Sequence, residues 1–402
     1  MMATMGAKNS RAPDLRKRWD ELASQYPEGW DWDDPPGPIV KFIDQNLAGY
    51  SHASIAEMAA LWVYSDGFGW PSAWLLLDFP LFIGQEASSR VIDQRRVARE
   101  MCRFAPDGLQ ELHDAWMDLY DELKGEKGGV YTQDKRRFAL PGTMRTGLGY
   151  YNNQVRAVVR HLEEMSLLGD WQKEIADEYL AAAEISAPHT VRAARRDRDY
   201  CPNGQWYDLG LRVETDLPFQ PSEGVELENL SFEPTKRRAR PQARRYMNRM
   251  YAQDGQFRVT HLVSVGTARD EHRHRACMPW KLEVVVDDDL NPVLCPYTPF
   301  EVDPDLWAKT CAEFRRIWDT GDRWGALHAL PFCAYVAMTS VTTIDALVYK
   351  AELRAGAEGG HWEYREQNLQ LIRDLCGMLP PWFVRREHLA GLISGGEQEN
   401  LL

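Results

Sequence analysis

The 402-residue sequence predicts an α+β fold built as two tandem units. The chain is longer than a usual single domain, so two domains or one duplicated fold is the natural organisation. Runs with apolar residues at helical spacing are interspersed with short β-type segments. Leu140-Pro141 recurs as Leu330-Pro331, which marks a second unit following the first.

Residues 1–37 read as a polar lead-in that closes on Trp30-Asp31-Trp32-Asp33-Asp34-Pro35-Pro36-Gly37-Pro38, where consecutive prolines cannot continue a helix. The first unit spans 38–195. It opens with Ile39, Phe42, Ile43 and Leu47 at helical spacing and a stop at Gly49. Ser54 and Glu57 then form a capping box at the start of another helix. Ser72 to Phe79 is helical and ends at Pro80. Glu86, Ser88 and Arg90 alternate, so an extended backbone presents an acceptor, a hydroxyl and a cation on one face, a set that suits a nucleotide. Two amphipathic helices, Asp107 to Leu123 and Gly149 to Leu168, complete the unit. Residues 196–256 are a basic linker with one strand: Arg192 to Arg198 and Lys236 to Arg249 are basic runs, and Gln205 to Glu214 alternates. In the second unit, 257–395, Phe257 to Val265 leads in, Leu282 to Asp287 is a strand and Trp307 to Trp318 is helical.

The formal net charge of −13 argues against a general nucleic-acid coat, because affinity for a polyanion rests on Lys and Arg. Nucleic acid is therefore an unlikely partner overall, with Lys236 to Arg249 the one local candidate. The 7 Cys are odd in number and scattered, with no C-x-x-C pair, as expected of reduced thiols in a cytoplasmic protein. The start lacks a signal-peptide core. The richest apolar run, Trp70 to Ile83, is short and carries Asp78 and Pro80, so it is expected to be buried rather than membrane-spanning.

The chemistry concentrates in Thr267-Ala268-Arg269-Asp270-Glu271-His272-Arg273-His274-Arg275, where arginine forks bind phosphate or carboxylate and an imidazole donates or stacks. An exposed basic turn is the plainer reading of such a run. A zinc site at His272 and His274 lacks Cys or carboxylate partners at ligand spacing, and no metal is expected. Cys295-Pro296 is a weak candidate nucleophile.

Arg273-His274-Arg275 resembles the Arg-His-Arg flavin motif of the flavin-dependent thymidylate synthases, and other pieces of that family's pattern accompany it. His52-Ala53-Ser54-Ile55-Ala56-Glu57 resembles its His-x-Ser-x-x-Glu; Glu86, Ser88 and Arg90 its Glu-x-Ser-x-Arg; Arg137, Leu140 and Pro141 its Arg-x-x-Leu-Pro. Asn153 and Arg156 resemble its Asn-x-Arg with one residue extra, Leu353-Arg354 its Leu-Arg, and His361-Trp362-Glu363-Tyr364-Arg365 its Gln-Trp-Glu-Ile-Arg. The resemblance implies helices packed on antiparallel sheet in each unit. It also implies an FAD-dependent enzyme that methylates or hydroxymethylates C5 of a pyrimidine deoxynucleotide such as dUMP, with methylenetetrahydrofolate and NADPH as co-substrates.

By the same resemblance, Arg354 and Arg273 would be catalytic, with Arg354 on the base. Glu86, Ser88, Ser89, Arg90, Arg137, Asp270, Arg273 and Arg354 would hold the nucleotide. His52, Ser54, Arg273, His274, Arg275, Asn153 and Arg156 would hold the flavin. Each half is a degenerate copy: the first reads Asp78-Phe79-Pro80 in place of Arg-His-Arg and Leu162-Glu163-Glu164 at the Leu-Arg place. The second has Lys281, Glu283 and Val285 where Glu-x-Ser-x-Arg would stand, and Leu327 for the Leu-Pro arginine. These losses are complementary, so one composite site per pair of repeats would be complete, and the chain would form a homodimer, a pseudo-tetramer of repeats. Asp270 stands where the family has glutamine and Met278 where it has serine, which opens a cytosine or other modified pyrimidine as substrate. A nucleotide- or flavin-binding protein without turnover is the remaining alternative.

Overall fold

A computed structural model describes residues 20–29, 34, 36–41, 60–78, 82–96, 98–125, 131–152, 154–196, 212–214, 225–231, 255–274, 277, 280–355 and 361–379. Its elements confirm the α+β class. β1 (Leu61–Phe68), β2 (Phe82–Glu86) and β3 (Thr146–Asn152) form a sheet in the order β1-β3-β2. β4 (Arg212–Glu214), β5 (Val225–Asn229), β6 (Gln256–Ser264), β7 (Lys281–Val285) and β8 (Tyr335–Thr343) form a second sheet in the order β4-β7-β8-β6-β5. The pairs β2·β3, β5·β6, β6·β8 and β7·β8 are antiparallel, while β4 lies parallel to β7.

Along the chain, one succession of elements occurs twice. A strand, a short helix, a strand, a long helix, a tight helical turn ending in Leu-Pro, a strand and two helices fill 61–186, and the same order fills 256–378, apart from a short helical turn at Gln94–Arg96 in the first and a short helix at Arg323–Ala326 in the second. In each sheet the third strand of the series, β3 or β8, lies between the other two. The compact units nevertheless interleave in sequence: one comprises Met1–Asp66, Leu75–Glu86 and Gly147–Tyr207, and the other Gly67–Trp74, Ala87–Thr146 and Asp208–Leu402.

In the first compact unit, the helices Val155–Met165, Asp170–Ser186 and Pro188–Arg196 pack on one another. The Tyr179 hydroxyl lies 2.7 Å from Ser65 Oγ, and its ring meets Tyr150 edge-on at 5.7 Å, tying Asp170–Ser186 to the inner face of the sheet. The expected helix from Gly149 is corrected here. Residues through Asn152 extend as β3 with alternating burial, and the helix starts only at Val155, after Asn152 Oδ1 accepts from Gln154 N at 2.7 Å. Alternation of Leu148, Tyr150 and Asn152 toward the interior is a period of two, and it outweighs the helical spacing that follows.

In the second compact unit, β6 alternates in its first half and is buried on both faces from His261 to Ser264. The helix Pro304–Trp318 starts with Asp303 accepting from Asp305 N and with proline in its first turn, where the missing N–H costs nothing. It packs on the helix Gln110–Glu122, where Trp116 Nε1 donates to Thr310 Oγ1 at 3.0 Å. The two Leu-Pro turns also meet inside this unit: Phe332 N donates to Leu140 O at 2.8 Å.

Gly142 makes that meeting possible. A Cβ there would press on backbone carbonyl oxygens of Leu327, His328 and Leu330, the first two at 2.7 Å. Backbone cannot swing aside as a side chain can, so Gly142→Ala is expected to destabilise by about 1–3 kcal/mol or more. Gly149→Ala, whose Cβ would meet only Gln85 O at 3.8 Å, is expected to cost little. Urea unfolding of both variants checks this, and equal midpoints would contradict it.

Candidate functional site

The second compact unit gathers Ser88, Ser89, Arg90, Arg137, Asp270, Arg273, His274 and Arg354. Glu86 ends β2 in the first unit, and Arg156 lies there on the helix Val155–Met165. His52, Ser54, Asn153 and Arg275 lie outside the described residues. The expected extended face of Glu86, Ser88 and Arg90 is not formed. The strand stops at Glu86, Ile92 N donates to Ser88 O at 3.0 Å, and the chain turns at Ser89 and Arg90.

At that turn Arg90 is held firmly. Its Nε and Nη2 donate to the two carboxylate oxygens of Asp134 at 2.6 and 2.8 Å, and its guanidinium lies 3.8 Å from the Tyr131 ring centre. Such a two-pronged contact fixes the plane of the guanidinium. Burial opposes its charge, yet Asp134 and the nearby Asp270 leave its pKa raised.

Arg137 sits in the helical turn Arg136–Ala139 and is fully buried. Its Nη1 lies 3.0 Å from Asp270 Oδ2, and its Nη2 donates to His361 Nε2 at 3.3 Å. Glycine at 266 allows this approach, since a Cβ there would come within 3.3 Å of Nη2. Arg137 Nε and Nη1, Asp270 Oδ2 and His361 Nδ1 are all buried without a hydrogen-bond partner, because the Nη1 to Oδ2 approach is close but misaligned. Buried polar atoms in that state are uncommon, and a site that takes a ligand is one place they occur. Burial lowers the Arg137 pKa, with Asp270 acting against it; burial would raise the Asp270 pKa, but Arg137, Arg273 and Arg90 outweigh it and hold the carboxylate well below its usual range.

Asp270 is placed by the helix Val265–Glu271. Ser264 caps that helix by accepting from Thr267 N, and Glu363 accepts from Ser264 N at 2.7 Å, from Ser264 Oγ at 2.6 Å and from Thr267 Oγ1. A carboxylate over exposed N–H groups at a helix start is favourable. Burial nevertheless raises the Glu363 pKa.

Arg354 ends the helix Ile344–Ala355, where a cation complements the helix dipole. Its Nε donates to His274 Nε2 at 2.9 Å, and the Tyr364 hydroxyl lies 2.9 Å from the same nitrogen. His274 is therefore a neutral acceptor; burial and then Arg354 push its pKa down to about 3. Arg273, by contrast, is exposed in the turn after the helix. His272 stacks on Trp74 at 3.9 Å, and among the described residues no group of three or more His, Cys, Asp or Glu would hold a metal ion. Cys295 is buried 3.6 Å from Glu363, with its pKa raised well above normal by burial and that carboxylate, so it is no thiolate.

Sequence reasoning passed over Asp134, Thr267 and Glu363 as site residues, and gave His361 no role. The capping pattern Ser264-x-x-Thr267 was readable; the partnership of Glu363 with it, nearly one hundred residues away, was not. Phe138 stacks on Trp362 at 5.3 Å and meets His361 edge-on, giving the cluster an aromatic wall.

Chemically, the arrangement is two buried arginines, Arg90 beside Asp134 and Arg137 beside Asp270, together with half-buried Arg354, exposed Arg273 and the neutral imidazoles of His274 and His361. It suits recognition of an anion joined to a planar, hydrogen-bonding group. No protein-family model matches the chain, and a search of curated proteins finds no match. Among the described residues no helix is long and apolar enough to cross a membrane.

Proposed function

We propose that the chain binds a pyrimidine deoxynucleotide among Arg90, Arg137, Arg273 and Arg354 and alkylates its C5 in a flavin-dependent reaction of the thymidylate synthase type. The observation that carries the nucleotide part is the convergence of these arginines about Asp270 with the Arg137 donors unsatisfied. Arg90 and Arg137 come from the first half of the sequence and Arg273 and Arg354 from the second, which is how a duplicated, complementary chain would divide one site. The doubled order of elements supports that duplication.

In this reading Arg90 and Arg273 hold phosphate, while Arg354, oriented by its contact with neutral His274, polarises the base. Reduced flavin would supply the hydride. The described residues do not by themselves form a flavin cradle: His274 is engaged by Arg354 and Tyr364, and Arg273 is exposed. The flavin part of the proposal therefore rests on the sequence motif. FAD, methylenetetrahydrofolate, NADPH and a homodimer belong to the proposal on the same ground.

Titration calorimetry of the full chain tests the nucleotide part. Arg90→Ala and Arg354→Ala are each expected to weaken nucleotide binding by about 1.5–3 kcal/mol, the scale of a charged hydrogen bond. Lys281→Ala, at a degenerate position where Lys281 pairs with Glu283, is expected to change it little. Equal losses from all three would mean that the arginines are not a site. Flavin absorbance after reconstitution with FAD tests the other part, and its absence would overturn the flavin-dependent reaction while leaving nucleotide binding to stand.

A further inference from the structure

We infer that Arg137 and Asp270 together form a base-reading edge that selects cytosine, an inference that rests on the nucleotide reading above. The carrying observation is a donor beside an acceptor, both buried and both unsatisfied. Arg137 is 0% and Asp270 7% exposed, Nη1 and Oδ2 lie 3.0 Å apart, and neither atom makes a hydrogen bond; nor does Arg137 Nε. A ligand that satisfies this edge must present an acceptor to the guanidinium and, next to it, an N–H to the carboxylate.

Cytosine does so with N3 and the N4 amino group side by side. Carboxylates accept from that amino group in other base-recognition settings. Uracil can also meet this edge, with O4 to the guanidinium and N3–H to the carboxylate, but its O2 then flanks the carboxylate and is repelled, whereas in cytosine O2 adjoins N3 on the guanidinium side, where Arg137 Nε is a further unsatisfied donor. The repulsion counts because the carboxylate keeps its charge: Arg137, Arg273 and Arg90 outweigh burial and lower its pKa. The glutamine of the resembling family would turn its amide to offer donor or acceptor; Asp270 offers acceptors alone. Adenine presents the same edge through N1 and N6, and only the pyrimidine reading separates it from cytosine.

The edge is also held in place. Asp270 lies in a helix whose start is fixed by Glu363, and Arg137 is pinned against Gly266 and His361. A misplaced edge would discriminate poorly, and these contacts keep both groups in register.

Calorimetric titration of the full chain with dCMP, dUMP and dAMP tests the inference. The wild-type chain is expected to bind dCMP at least about tenfold more tightly than dUMP, within the range for one two-point base contact. Asp270→Asn, whose amide serves either base, is expected to bring the two within about threefold. Equal or tighter binding of dUMP by the wild type, or an unchanged preference in Asp270→Asn, would overturn the cytosine assignment while leaving the nucleotide site intact. Tightest binding of dAMP would overturn the pyrimidine reading and cytosine with it, and binding of none would overturn the nucleotide site itself. Should Asp270→Asn fail to fold, the wild-type preference decides alone.

Discussion

Lys350→Ala is expected to destabilise the second compact unit by about 3–5 kcal/mol, the scale for breaking a buried ion pair from one side. Lys350 and Glu271 are both completely buried, with Nζ 3.0 Å from Glu271 Oε2. Nζ also lies 2.5 Å from His261 Nε2, and Gln367 Oε1 is 3.1 Å from His261 Nδ1, so the ring is a neutral imidazole with its proton on Nδ1. Among the described residues, alanine would leave the Glu271 carboxylate with Asn368 Nδ2 at 3.3 Å as its hydrogen-bond donor, while the charge stayed in the interior. Desolvation then dominates, because the attraction that offset it is gone. Removing both charges, as Lys350→Met with Glu271→Gln, is expected to restore most of the stability. Denaturant unfolding of the single and double variants checks this; a single variant within 0.5 kcal/mol of wild type, roughly the surface-substitution scale, would show that the pair is not the buried lock described.

The pair also shows where sequence reasoning reached its limit. Glu271 adjoins Asp270 in the stretch singled out as an anion site, and Lys350 is four residues before Arg354, yet nothing local says that one carboxylate faces a lysine and the other an arginine. Spacing along a strand or helix is local information, and it located β7 and the helices at 110–122 and 304–318 to within a few residues. Pairings across 130 or more positions, such as Arg137 with Asp270 or Phe332 with Leu140, are tertiary. The complementary losses of the two halves gave a reason to bring Arg90 and Arg137 together with Arg273 and Arg354, although they did not show that Asp134 would hold Arg90. Where period-two and helical spacing compete, as at Gly149 to Asn152, burial on both sides of the junction decides, and the sequence does not display it.

Acid is expected to unfold the second compact unit before pH 4 is reached, and the cause is buried histidine rather than carboxylate. His261, His274 and His328 are buried, and burial, more than any neighbouring charge, pushes their pKa values down to about 4, 3 and 4. His361 is driven well below its usual value as well, by burial and then Arg137. In the unfolded chain each would take up a proton near pH 6.5, so between there and pH 4 the unfolded state binds protons that the folded state refuses. Stability is thus fully present above pH 6.5 and falls as pH falls. Each such group contributes about 1.4 kcal/mol per pH unit, and three give roughly 4 kcal/mol per unit. A domain stable by about 5–15 kcal/mol does not withstand that loss across the whole window. The carboxylates act lower: Glu271, which Lys350 holds down to about 2 against its burial, gives stability present above about pH 4.5 and lost as pH falls toward 2. Fluorescence and circular dichroism followed from pH 8 to pH 3.5 distinguish the two windows. His328→Gln, which removes one titrating ring, is expected to make the loss less steep. A native signal that persists to pH 4 would show that these imidazoles gain protons in the folded chain.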